Sequence, residues 1–191
     1  MVRAHIVARW RLRFRGELNA LKCLLLWFLT MSVGEAGVEE VEKVLYVINA
    51  SNGDAYRSLI PPEQFRDPVL TAEQLQKEFD CMTFYVYRFE CEPVGVAALR
   101  IDRGKTGTVR WVHVLPGHRR KGVGTSLMKW VESEAKKMGL KKLRVAYVFE
   151  EAFWAKKFYA KLGYEKRKKV TLPWGGQAHI YQKMIPPRAG E

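Results

Sequence analysis

The chain has 191 residues, 48% of them apolar, and carries a formal charge of +13. That length suits one domain with a sizeable core, and the cationic excess suggests an anionic partner, although solvated lysine-rich helices account for much of it. Cys23, Cys81 and Cys91 form an odd set without metal-ligand spacing, so they exclude a zinc site and read as reduced thiols of a cytoplasmic protein.

At the start, Ile6, Ala8, Trp10, Leu12 and Phe14 alternate with Arg9, Arg11, Arg13 and Arg15, as in a half-buried strand, and Cys23 to Phe28 is an apolar run. A secretory signal would have a shorter basic part and a longer apolar one. Lys22 interrupts a run that falls far short of the ~20 residues needed to span a bilayer. Attachment to a membrane surface stays open. The favoured reading is that residues 1–30 are an extension to a domain covering 31–191, and an upstream start is one origin for it. Met31 stands at the beginning of the strand expected to open the domain, near Leu29 to Ala36.

Gly37 to Asn49 follows with Val38, Val41, Val44, Leu45 and Ile48 on one helical face. Asp54 to Pro68 is a proline-interrupted segment. Thr71 caps a further helix to Phe79, with Glu73 and Gln74 in its first turn. Three strands are expected next, at Met82 to Phe89, Pro93 to Asp102 and Thr106 to Leu115, joined by Glu90 to Glu92 and by the tight turn Arg103-Gly104-Lys105. Beyond Pro116, Leu127, Met128, Val131 and Ala135 mark a helix from Thr125 to Met138. A strand at Leu143 to Phe149 and a helix ended by Gly163 come next, and strands at Tyr164 to Leu172 and Gln177 to Met184 finish an α/β chain of the α+β kind. No internal repeat or low-complexity linker interrupts it.

The most informative stretch is the join at Pro116, where a strand stops and His118, Arg119, Arg120, Lys121, Gly122, Val123 and Gly124 lead into a helix. The first N–H groups of a helix lack intrahelical partners, and Gly122 and Gly124 let a phosphate approach that backbone closely. Arg119, Gly122 and Gly124 resemble the signature of the GNAT superfamily of acyl-CoA-dependent N-acyltransferases: Arg or Gln, two residues, Gly, one residue, then Gly or Ala. Ala155, Phe158, Tyr159, Leu162, Gly163 and Tyr164 resemble its second signature, a helix bearing Phe-Tyr and ending at Leu-Gly-Tyr. The two occur in the family's order with a strand between them. The resemblance implies the GNAT fold, a mixed central sheet of about seven strands, splayed in the middle, with helices on both faces.

It also implies an N-acetyltransferase that moves an acetyl group from acetyl-CoA to a primary amine of a small molecule, peptide or protein, by direct attack in a ternary complex. An ammonium acceptor must lose its proton before its nitrogen attacks the thioester, and the oxygen of the tetrahedral intermediate needs a fixed donor. By resemblance the Val112 N–H is that donor, and the carbonyl and N–H of Val114 hold the pantetheine arm as an added strand would. Backbone groups of Arg119, Arg120, Lys121, Gly122, Val123, Gly124 and Thr125 would take the pyrophosphate, with Phe158 also on the cofactor. Tyr159 is the expected acid for the CoA thiolate, or else an amphipathic tyrosine packed at the helix-sheet boundary. No metal is implied.

The base is less evident. Thr108 stands where some relatives carry a glutamate, and Tyr147 where others carry Glu or His. Tyr147 could orient a water, and His113 is the histidine of the central strands, either catalytic or structural. Glu150 and Glu151 could recognise an ammonium or start a helix. Ala152 replaces an asparagine that touches the cofactor in many members. Acceptor identity is expected in Asn49 to Phe79 and in Leu172 to Gly176, where Trp174 with two glycines reads as a mobile lid or a hairpin turn. Two other classes remain open: a CoA-binding sensor module without turnover, and a nucleic-acid or ribosome-associated protein using Lys166, Arg167, Lys168, Lys169 and the arginine-rich start. No motif specifies nucleic acid, and exposed strand edges leave room for a homodimer.

Overall fold

The computed structural model describes residues 31–187. The 1–30 extension, and with it Leu29 and Thr30 of the expected first strand, lies outside the described residues. One sheet is formed by β1 (Met31–Glu35), β2 (Thr83–Phe89), β3 (Glu92–Asp102), β4 (Thr106–Val114), β5 (Lys142–Phe149), β6 (Glu165–Thr171) and β7 (Gln177–Met184), in the order β1-β2-β3-β4-β5-β7-β6. Neighbours are antiparallel except β4 and β5, which are parallel and joined through a helix, as parallel pairing demands.

Helices α1 (Val41–Tyr56), α2 (Ala72–Phe79), α3 (Val123–Lys137) and α4 (Phe153–Lys161) cover the two faces. On one face α1 and α2 bury Val44, Val47, Ile48 and Leu75 against Phe84, Val86, Val96 and Ala98. On the other, α3 and α4 bury Leu127, Met128, Val131 and Tyr159 against Ala97, Leu99, Val109 and Leu143. The alternation of Val96 and Ala98 with Ala97 and Leu99 on β3 sends successive side chains into the two layers, the period-two pattern of a strand buried on both sides. A fully buried leucine such as Leu127 contributes about 1.5–3 kcal/mol.

One helix differs from its expected bounds. α1 runs past Asn49 to Tyr56 and absorbs the start of the segment expected at Asp54. Asn52 and Gly53 are weak helix formers, but Ser51 and Asn52 are buried, and packing overrides propensity. Asn49 clamps the returning chain: its Nδ2 donates to the Leu70 carbonyl at 3.0 Å and its Oδ1 accepts from the Leu70 N–H at 3.1 Å. Thr71 then caps α2 as expected, with Thr71 Oγ1 accepting from the Gln74 N–H at 3.2 Å and Gln74 Oε1 from the Thr71 N–H at 2.9 Å.

The sheet splays where the site lies. β4 and β5 pair from Thr106 with Lys142 to Val109 with Val145 and no further. Just beyond, Trp111 has φ 52° and Tyr147 φ 57°, and each sits at a register shift against its other neighbour strand. Bulges at both strands bend them apart and re-aim their side chains. At the far edge, β6 exposes Lys166, Arg167, Lys168 and Lys169, a charge row that resists edge-to-edge pairing.

Candidate active site

The parting of β4 and β5 opens a cleft of about 370 Å³, lined by both strands, by the end of α1, by the 60–69 segment and by α4. Val112 lines it, and neither Trp111 nor Val112 has a register partner in β3 or β5. Val114 pairs with Gly95 on its β3 side, and its carbonyl accepts from Arg119 Nε at 3.1 Å.

Behind the cleft lies the loop. Gly122 caps α3 with φ 87°, a left-handed conformation that costs other residues free energy. The first bond across this end runs from the Ser126 N–H to the Gly122 carbonyl, so the N–H groups of Val123, Gly124 and Thr125 stand at the open end of the helix. A Cβ on Gly124 would lie 3.3 Å from Phe158 Cζ and 3.7 Å from Val114 Cγ2, so this glycine lets α3, α4 and β4 converge. Arg120 and Lys121 are exposed beside it.

The backbone of Arg119 lies in the loop, while its side chain turns away from it. Its guanidinium is spent on the protein: it donates to Ser51 O at 3.2 Å and Ser51 Oγ at 3.4 Å, pairs with Asp54, and holds the Val114 carbonyl. It braces the end of β4 against α1, while Arg120 and Lys121 keep their charge toward solvent. No local pattern in the sequence marks the Arg119 side chain for this, because its α1 partners Ser51 and Asp54 lie far away along the chain.

His113 is partly buried and stacks on Trp111, with centroids 6.2 Å apart. Burial, helped by the Arg119 charge, pushes its pKa down to about 4, so the ring is neutral at neutral pH and a weak base. Tyr159 is only 7% exposed and lines the cleft among the rings of Phe158, Tyr164 and Tyr181. Burial, then the neighbouring Tyr56, pushes its pKa up, which keeps the hydroxyl protonated. Tyr147 also lines the cleft but is 54% exposed.

Other expected residues are engaged elsewhere. Thr108 is buried and donates to Asp102 Oδ2 at 2.5 Å. Glu150 lies 2.7 Å from His179 Nδ1, 3.4 Å from Lys156 Nζ and 3.6 Å from Lys166 Nζ, so its charge is already answered. Its slight burial raises its pKa, and those cations outweigh that and lower it. Ala152 is fully buried at the start of α4. Trp174 sits in the β6–β7 hairpin turn, closed by the Gly175 N–H donating to the Leu172 carbonyl at 2.8 Å, and its ring meets Phe149 edge-on at 6.1 Å.

Within the stretch Asn49 to Phe79, expected to carry acceptor identity, three residues were not singled out by sequence. Tyr56 reaches the cleft from the end of α1, edge-on to Phe149 at 5.3 Å. Glu78 Oε2 accepts from Trp111 Nε1 at 3.2 Å and Arg110 Nη1 at 3.4 Å. Arg66 lines the cleft from the loop after α1. No local pattern marks them: Tyr56 and Glu78 meet partners remote in sequence, and the fold alone brings Arg66 to the cleft. Among the described residues no cluster of His, Cys, Asp and Glu is built to hold a metal, and no helix is long and apolar enough to cross a membrane.

A mixed sheet splayed between two parallel strands, with an open helix N-terminus at the splay, is the architecture that the two sequence signatures imply. The family model described as "Acetyltransferase (GNAT) family" matches residues 50–164, more than half of the chain, and the chain belongs to that family. It is similar to the paia N-acetyltransferase of Thermoplasma acidophilum, solved in complex with coenzyme A (18% identity, TM-score 0.63, covering 81% of this chain and 99% of that one). It is likewise similar to the smu.2055 protein of Streptococcus mutans UA159 (22%, 0.68, 81% and 99%). A third is the ribosomal-protein-S18-alanine N-acetyltransferase of Escherichia coli (15%, 0.67, 84% and 97%). At these identities the likeness carries the fold alone. No curated protein matches the chain by sequence.

Proposed function

We propose that the protein transfers an acetyl group from acetyl-CoA to a primary amine by direct attack, without a covalent enzyme intermediate. The observation that carries this is the parting of β4 from β5 beyond Val109 and Val145, with the open end of α3 directly behind it. The residues present fit acetyl-CoA. The Val123, Gly124 and Thr125 N–H groups, with Arg120 and Lys121, suit a pyrophosphate; the edge of β4 at Val112 and Val114 suits an extended amide-bearing arm; and Phe158 packs where the two meet. Acetyl-CoA supplies the activated thioester.

The Val112 N–H is the donor for the carbonyl oxygen as it gains charge. Tyr159, kept protonated by burial, donates a hydrogen bond to the leaving sulfur and steadies it, while water completes the proton balance. His113 and Tyr147 border the same cleft, and in this reading they orient a water that carries away the amine proton. His113 does so as a neutral ring, too weak a base to hold that proton itself. Cys81 and Cys91 are exposed, unbridged thiols away from the cleft, which suits direct transfer and a cytoplasmic setting.

Calorimetry with acetyl-CoA tests the reading, run on the protein and on Gly124→Trp, whose ring would fill the approach to the loop and displace Phe158. Binding that the variant loses supports it. Absence of binding by the unaltered protein would overturn it.

A further inference from the structure

We propose that the acceptor is a free amino acid with an apolar or aromatic side chain, its carboxylate held by Arg66 with Arg110 as the second cation. This rests on the acetyl-transfer reading and names its substrate class.

Among the described residues, the cleft is lined by six aromatic residues, Tyr56, Phe65, Trp111 and Phe149 among them, and by no Asp, Glu or Lys. Its permanently charged side chains are Arg66 and Arg110. A lone ammonium or a polyamine would find no counter-charge there, and placing a charge in such a site without a partner is costly. An amino acid brings its own carboxylate. Arg110 is partly answered by Glu78 at 3.4 Å, an oxygen that Trp111 Nε1 also uses. Arg66 is exposed and makes no ion pair or hydrogen bond among the described residues. Its flanks are nonetheless held: Arg57 lies over the Phe65 ring at 4.9 Å and pairs with Asp67, so Arg66 stands on a fastened root with its donors unspent. A planar guanidinium in that state suits bidentate capture of a carboxylate.

A volume of about 370 Å³ suits a small molecule, and the aromatic walls suit an apolar side chain. Two guanidinium charges also favour the neutral over the protonated amine, which lessens the need for a carboxylate base, a group that none of the described lining residues supplies. In the reaction the amine nitrogen forms a C–N bond to the acetyl carbon and the C–S bond breaks. The amine loses two protons, one to water and one to the departing thiolate. The products are an N-acetyl amino acid and CoA.

The test follows free-thiol release from acetyl-CoA by the full chain, with phenylalanine and leucine against their decarboxylated counterparts, phenethylamine and isopentylamine, and against spermidine and phenylalaninamide. The expected result is a preference for the amino acids of at least about tenfold in kcat/KM, the scale of a charge-assisted bidentate contact. Arg66→Gln should collapse that ratio by raising KM for the amino acid. Equal or better turnover of the amines, spermidine or the amide would overturn the assignment while leaving acetyl transfer standing. So would silence across the whole panel from a protein that binds acetyl-CoA. Failure to bind acetyl-CoA at all would overturn both readings.

Discussion

The two ends of the cleft are built by different means. Behind it, the loop from Arg119 to Thr125 is contiguous in sequence, and what it offers are backbone N–H groups at a helix terminus. At its mouth, the wall is made of side chains from α1, the 60–69 segment, β4, β5 and the β6–β7 turn. A backbone site constrains the chain through glycine placement and can serve any acceptor. A side-chain wall can change without disturbing the backbone site, as binding residues on loops generally can.

The sharpest way to break this comparison is at the backbone end. Gly124→Trp should weaken acetyl-CoA binding by about a hundredfold or more, the combined loss of several hydrogen bonds to charged groups, while circular dichroism stays that of the folded protein. Intact affinity would remove the loop from the site. At the junction of the two ends, Tyr159→Phe should lower turnover at least about tenfold with little change in acetyl-CoA affinity, read by steady-state rates beside calorimetry. Unaltered turnover would return Tyr159 to a packing role, the one its ring contacts with Tyr164 and Tyr181 also fit.

A smaller effect concerns His113. Its pKa of about 4 lies below the 6.5 of an exposed imidazole, so between those values the unfolded chain takes up a proton that the folded one refuses. Its contribution to stability is complete above pH 6.5 and falls away as pH drops toward 4. The thermal midpoint should therefore decline less over that window in His113→Gln than in the parent, with the difference between the two proteins as the readout. The smallest effect expected is none: residues 31–191 alone should fold and bind acetyl-CoA like the full chain. A truncated protein that unfolds or loses binding would make residues 1–30 part of the domain.

Much of this molecule was legible before any coordinates. Thr71 and Gln74 announced the α2 cap, Arg103-Gly104-Lys105 the turn into β4, and the glycines after Pro116 the opening of α3, because capping, turn and phosphate-loop chemistry act within a few residues. The end of α1 was misplaced for the complementary reason. Asn52 and Gly53 look like a stop locally, and only burial against the sheet carries the helix on to Tyr56.

Sequence alone therefore determined the α/β order, the family and the position of the glycine loop that opens α3, since each is written in short-range spacing. Tertiary structure decided where the charges go. It set the Arg119 side chain as a brace on Ser51 and Asp54, and committed Glu150 to His179, Lys156 and Lys166. It also brought Tyr56, Arg66 and Arg110 to one cleft. The physical reason is range: a side chain's electrostatic partners are set by which strands lie side by side, and no local pattern in the chain encodes that adjacency.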